Sequence, residues 1–236
     1  PNIVLNTIMA EAFCDVCDVL EKADNFDEAV HDLIKKNFSE HQRIIFNGNG
    51  YSDAWIAEAE RRGLPNIRSM VEAIPELLAD KSVNLFEKFG VFTRAELESR
   101  VEVKYENYAK TINIEAKTMI DMAAKQFIPA VIRYTKTLAD AIVSIRAAGV
   151  EEVSVQKKLL EDCSVLLRKT QEALKSLTEI EAKACVMEEG KEQAEFYHNM
   201  VVPAMEALRE PVDELEMLVD KEMWPMPSYG DLLFEV

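Results

Sequence analysis

The chain has 236 residues, 48% of them hydrophobic and 30% charged, enough to bury a substantial core in one domain or two. With only 7 Gly and 8 Pro it has little material for the many tight turns of a β-sandwich or barrel. A formal charge of −16 removes the counterion-releasing surface that nucleic acids and anionic membranes require.

The first helix is expected over 3–23, with Ile8, Ala12, Val16 and Leu20 on one face and Leu5, Met9, Phe13 and Val19 broadening it. Asp24-Asn25 breaks the pattern and supplies an N-cap for a second helix over 26–45, with Phe26, Val30, Leu33, Ile34, Phe38 and Ile45 inward. Asn47-Gly48-Asn49-Gly50 stops that helix, because these residues tolerate positive φ. Ser52 caps a short helix ending at Gly63. Ser69 and Glu72 form a capping box for 70–79, a span that Pro75 shortens or kinks, and another short helix covers 82–89.

From Thr93, which forms a second capping box with Glu96, there is no Gly until Gly149. Leu97, Val101, Tyr105, Tyr108, Ile112, Met119, Ala123, Phe127, Tyr134, Leu138 and Ile145 step mostly by three or four, which predicts one long helix over 93–148 with a bend near Pro129. A second long helix is expected over 154–187, carrying Leu159, Cys163, Leu166, Leu167, Leu174, Leu177 and Ile180 inward. A third runs over 191–222 with Tyr197, Val201, Leu208, Val212, Leu215 and Val219 inward, kinks at Pro203 and Pro211, and a short extended tail after Trp224-Pro225-Met226-Pro227. The fold class is therefore all-α: a long antiparallel three-helix bundle preceded by several shorter packed helices.

Candidate chemistry is sparse. Cys14-x-x-Cys17 supplies half of a zinc site, but no second pair exists and the motif sits inside a helix instead of after a strand. Glu28-x-x-His31 and Glu195-x-x-His198, with Glu115 as a further donor, supply part of a di-iron carboxylate set; in a Glu-rich chain such pairs also arise by chance. Asn47 to Tyr51 looks glycine-rich, yet a phosphate loop needs a preceding strand and a following Lys-Ser/Thr. No catalytic, cofactor-binding or metal-binding residue is assigned. The cysteines Cys14, Cys17, Cys163 and Cys185 show no disulfide framework, so a reducing cytoplasm is the expected location. No apolar run reaches the ~18–20 residues that span a bilayer, and no signal-peptide pattern opens the chain. The opening Pro1-Asn2-Ile3-Val4-Leu5, apolar and without an initiator Met, reads as the middle of a longer protein.

Several strings carry a resemblance: Leu5-Asn6-Thr7-Ile8-Met9-Ala10-Glu11, Arg43 to Ser52 (RIIFNGNGYS), Arg62-Gly63-Leu64-Pro65-Asn66, Lys110 to Ala116 (KTINIEA), Pro129 to Tyr134 (PAVIRY) and the ending from Trp224 to Phe234 (WPMPSYGDLLF). In order and across the whole chain they resemble the C-terminal region of type III glutamine synthetases. The resemblance implies a parent enzyme that joins ammonia to glutamate using ATP and Mg2+ or Mn2+, and that assembles as double hexameric rings. Its metal-binding and catalytic motifs are absent from this chain, so no catalytic residue carries over. The resemblance places residues 1–24 as the closing helix of the catalytic domain, 25–92 as a connecting region of short helices, and 93–236 as the long bundle and tail. Partners are then the upstream catalytic domain and other subunits. The alternatives are a free-standing helical interaction or signalling module and, behind it, a di-metal bundle enzyme.

Overall fold

The computed structural model describes residues 2–227 and 229–234, and among these there is no β-strand. The chain divides into two compact units, Pro1–Lys104 and Tyr105–Val236. The fold is all-α.

The first unit is built from short, individually capped helices. α1 spans Asn2–Leu20 and α2 spans Phe26–Glu40. Asn25 caps α2 by accepting the Glu28 N–H at 3.4 Å. A 3-10 turn at Gln42–Ile44 ends the run expected to reach 45 as α-helix. α3 spans Asp53–Arg61 under a Ser52 cap and stops at Gly63, whose φ of 69° lets the Leu64 N–H fold back to the Ala59 carbonyl at 2.9 Å. α4 covers only Met70–Ala73 inside the Ser69/Glu72 capping box, because Pro75 converts the rest of the expected span into a 3-10 segment at Ile74–Leu78. α5 spans Asp80–Lys88. Val83, Phe86 and Leu97 form this unit's small core, with Val4, Leu78, Val91 and Phe92 packed on it.

α6 (Arg94–Met122) begins in the first unit and continues into the second. A π-helical turn at Ala123–Phe127 and then α7 (Ile128–Ala147) prolong it, so the helical path covers the span expected for the longest element. The wide turn answers Pro129. Proline has no N–H for the carbonyl four residues back and clashes with it; here the Ile128 N–H reaches five residues back to Ala123. The same device precedes Pro203: a π turn at Tyr197–Val201 joins α9 (Lys191–Phe196) to α10 (Val202–Glu216), with the Val202 N–H on the Tyr197 carbonyl. Pro211, in contrast, lies within the continuous α10. α8 spans Ser154–Cys185.

Within the second unit α8 packs along both α7 and α10. One core layer joins Ala109, Ala116 and Ala123 to Leu174, Leu177 and Ala184 and to Tyr197, Val201 and Leu208. The next joins Val131 to Cys163, Leu166, Leu215 and Val219. Numbers rise along α6–α7 and along α9–α10 while they fall along α8, so the helices run up, down and up. Gly149, at φ 87°, reverses the chain between α7 and α8.

Two expectations are corrected. The apolar face of α1, and the residues of α2 expected inward, are mostly outward: Leu5, Ile8, Met9, Phe13, Val19, Phe26, Ile34 and Phe38 are all exposed. α1 packs mainly on α2 and α5, and its covered stripe runs through Val4 and the buried Thr7 to Glu11, which pairs with Lys88. The tail is not extended: Tyr229–Phe234 form α11, with Asp231 paired to Lys221 at 2.6 Å. Pro1 and Ser228, which fall in the opening and closing strings of the sequence, lie outside the described residues, as do the last two residues.

Candidate functional site

The sequence-flagged metal donors do not converge. Cys14 and Cys17 are free and exposed on α1. His31 lies on α2 in the first unit. In the second, His198 sits in the π turn and shares a 3.1 Å hydrogen bond with the Tyr108 hydroxyl, while Glu195 pairs with Lys191 at 3.6 Å. Among the described residues no three His, Cys, Asp or Glu gather into a group able to hold a metal ion.

What the first unit does present is an apolar surface and an ordered loop. On α1, Leu5, Ile8, Met9 and Phe13 face solvent, Phe13 at 62% exposure; on α2, Phe26 and Phe38 stand at 60% and 61%. Scattered exposed apolar residues are ordinary, but here they form a dense run on two touching helices. A cleft of about 660 Å³ lies between the two helices, where Val16, Val19 and Leu33 meet Lys36 and Glu40.

The loop after α2 is held by Arg62. Its guanidinium lies over the Phe46 and Trp55 rings, which themselves stack at 4.2 Å, and it donates to the Ile45 carbonyl at 2.8 Å and to Glu58 at 2.6 Å. Glu58, bonded by both Arg61 and Arg62, is held at about 2, far below the ordinary carboxylate value. A Cβ at Gly48 would meet the Phe46 ring at 2.7 Å, so any larger residue there displaces the ring. Asn49 then accepts the Tyr51 N–H at 3.0 Å and the Ser52 hydroxyl donates to the Asn49 carbonyl at 2.8 Å, which leaves Tyr51 fully exposed at the tip. Preceded by a helix and a 3-10 turn, this is an aromatic clamp on a loop, not a phosphate cradle. Sequence reasoning found the turn and missed the clamp, whose only advance signal was the pairing of Phe46 and Trp55 with a downstream Arg.

The sequence profile described as glutamine synthetase C-terminal domain matches residues 29–146, half of the chain. The chain belongs to the glutamine synthetase C-terminal domain family. Most of α2, the Arg62 clamp, all of α6 and α7 as far as Arg146 fall within that match. It is 35% identical to a glutamine synthetase of Butyrivibrio fibrisolvens over 90% of its own length and 31% of the relative's. It is 30% identical to the type-3 glutamine synthetase of Dictyostelium discoideum and 31% identical to a glutamine synthetase of Bacteroides fragilis (strain YCH46), covering 33% of each. The chain thus spans about a third of the length of the curated relatives it matches. No helix among the described residues is long and apolar enough to cross a membrane.

Proposed function

We propose that this chain is the C-terminal helical part of a cytoplasmic type III glutamine synthetase, that it serves assembly and stability, and that it does not make glutamine by itself. The observation that carries the reading is the outward row of Leu5, Ile8, Met9 and Phe13 on α1 with Phe26 and Phe38 on α2. A face of this kind is covered in the working protein, and a relative three times longer supplies a polypeptide to cover it. In this reading residues 1–24 close the catalytic domain, 25–92 connect it to the bundle, and 93–236 form an outer body that meets other subunits of a ringed homo-oligomer.

ATP and Mg2+ or Mn2+ belong to the parent enzyme. Phosphoryl transfer from metal–ATP needs converging carboxylates, a basic group for the phosphates and a wall that excludes water. The donor set here does not fit that demand, since its acidic residues do not converge on any metal-holding group among the described residues. No chemical step is assigned to this chain.

The experiment is glutamate- and ammonia-dependent phosphate release from ATP, run on the purified chain and on the full-length enzyme. The chain alone should give the no-enzyme rate. Full-length enzyme lacking residues 93–222 should lose its assembled mass, measured by light scattering, before the chemistry of the remaining subunits is touched. Turnover by the chain alone, abolished by a point change within it, overturns the reading.

A further inference from the structure

The exposed apolar faces of α1 and α2 differ in pattern. On α2, Phe26, Val30, Ile34 and Phe38 recur at every fourth residue, the ridge that interdigitates in the commonest class of helix–helix packing. Phe26 and Phe38 stand out to solvent, and Ile34 between them is 53% exposed. Leu33 serves the cleft shared with α1, so packing against α1 leaves the ridge open.

The ridge is a palindrome centred on Asp32. Phe26 mirrors Phe38, and Val30 mirrors Ile34. An identical helix laid against it in reverse, across a two-fold axis at that point, sets aromatic on aromatic and β-branched on β-branched. By helical register Asp32 falls on the side away from the ridge, so the axis brings no two acids together.

The charges follow the same symmetry. Glu28 and Lys35 are exposed on one flank of the ridge, seven residues or about 10.5 Å apart along the axis. That is too far for them to pair with each other, and among the described residues neither has an ion partner; Glu28 meets only the Asn25 side-chain amide, at 3.4 Å. The long helices behave otherwise: Lys110, Lys136, Lys158 and Arg168 each pair with an acid four residues away on their own helix. Glu28 and Lys35 mirror one another about nearly the same point as the apolar ridge. The reversed copy that closes the ridge therefore also brings each Glu28 to the other copy's Lys35. Parallel pairing would set Glu28 on Glu28 and Lys35 on Lys35.

We propose that α2 is a seam between two copies of this chain, packed antiparallel across a two-fold axis beside residues 30–34. The inference rests on the assembly role proposed above and divides its apolar face. The α1 row is left to the rest of the longer polypeptide, and the α2 ridge takes a second copy. The ridge supplies the burial, and the two Glu28–Lys35 pairs fix the direction.

Sedimentation equilibrium of the 236-residue chain should show a reversible monomer–dimer exchange. Glu28→Lys makes the flank basic and Lys35→Glu makes it acidic. Each should weaken the dimer at least about tenfold, because each sets like charges together twice. Mixed in equal amounts, the two variants should recover the parent affinity or better, as a heterodimer with both pairs restored. Ile34→Asp should leave a monomer that circular dichroism shows to be folded, and Phe13→Asp on α1 should leave the dimer intact. The proposal is overturned by a parent chain still monomeric at about 100 μM, by a dimer untouched by both charge reversals, or by a mixture no tighter than either variant alone. Loss of the dimer with Phe13→Asp overturns it too, since the seam would then be α1. The assembly role is judged separately, by the mass of full-length enzyme lacking residues 93–222, in which α2 is intact.

Discussion

The two units use similar residues to opposite ends. In the second, the large apolar side chains of α8 and α10 point inward, and Leu177, Leu208 and Leu215 are sealed. In the first, α1 carries a comparable set and shows most of it to solvent, while burial falls on Val83, Phe86 and Leu97. An amphipathic stripe says that a helix face will be covered; it does not say by what. Three long helices cover one another, whereas a helix packed mainly on two short neighbours keeps its apolar face open.

The largest expected effect separates the two directly. Leu177→Ala should cost about 2–5 kcal/mol in urea unfolding, because it opens a cavity in a closed layer. Phe13→Ala, which deletes a larger side chain, should shift the same chain by less than about 0.5 kcal/mol. Equal costs would mean that α1 is already packed in the isolated chain. A smaller effect tests the tightness of the second unit: Ala116→Leu should destabilise by about 1–3 kcal/mol, since a fully buried alanine between helices leaves no room for a larger side chain. The caps come next. In the box at the start of α6, Glu96 accepts the Thr93 N–H at 2.8 Å and Thr93 accepts the Glu96 N–H at 3.3 Å, so Thr93→Ala should cost about 1 kcal/mol.

The smallest effect concerns acid. Hydrogen bonds from Arg61 and Arg62 lower Glu58 from the ordinary 4.5 to about 2. A carboxyl lowered in the folded state adds stability that is fully present above its unfolded value and lost as pH falls toward the folded one. The Arg62 clamp should therefore slacken between about pH 4.5 and pH 2, seen as faster amide exchange in residues 43–52 while the second unit's core stays protected. Carbon-detected NMR should place the Glu58 midpoint near the lower figure, and Arg62→Met should move it upward.

Much of the fold was legible in the sequence because glycine, proline and capping residues punctuate it. Both capping boxes, the stops at Gly63 and Gly149, and the spans of α6 to α8 could be read from those residues. The seam of the second unit was less legible. Ala109, Ala116, Ala130 and Ala184 are among its most buried residues, but alanine is at home on any helix surface, so periodicity counted over large side chains passed over them. Buried polar residues were hidden for a related reason: Thr170 satisfies its hydroxyl on its own helix, at the Leu166 carbonyl, and Glu181 needs Lys117 from another. Ion pairs and cavities join positions far apart in the chain, and no local pattern announces them. The family strings pointed to a lineage and to no active site, and the candidate surface became visible only when α1 and α2 proved uncovered.

The wide turn at Ala123–Phe127 has a consequence for chain length. Buried positions along this path fall at Ala109, Ala116 and Ala123, seven apart; after the turn both Ala130 and Val131 are buried, and the next, Leu138, lies seven beyond Val131. A π turn takes in one residue more than an α turn with the helix unbroken, and beyond it Val131 still meets Cys163 and Leu166 of α8. That makes the segment a splice point, where a single-residue insertion or deletion is taken up locally as a change of turn type, whereas the same edit at Ala116 would rotate the rest of the rod by about 100° and turn its buried side out.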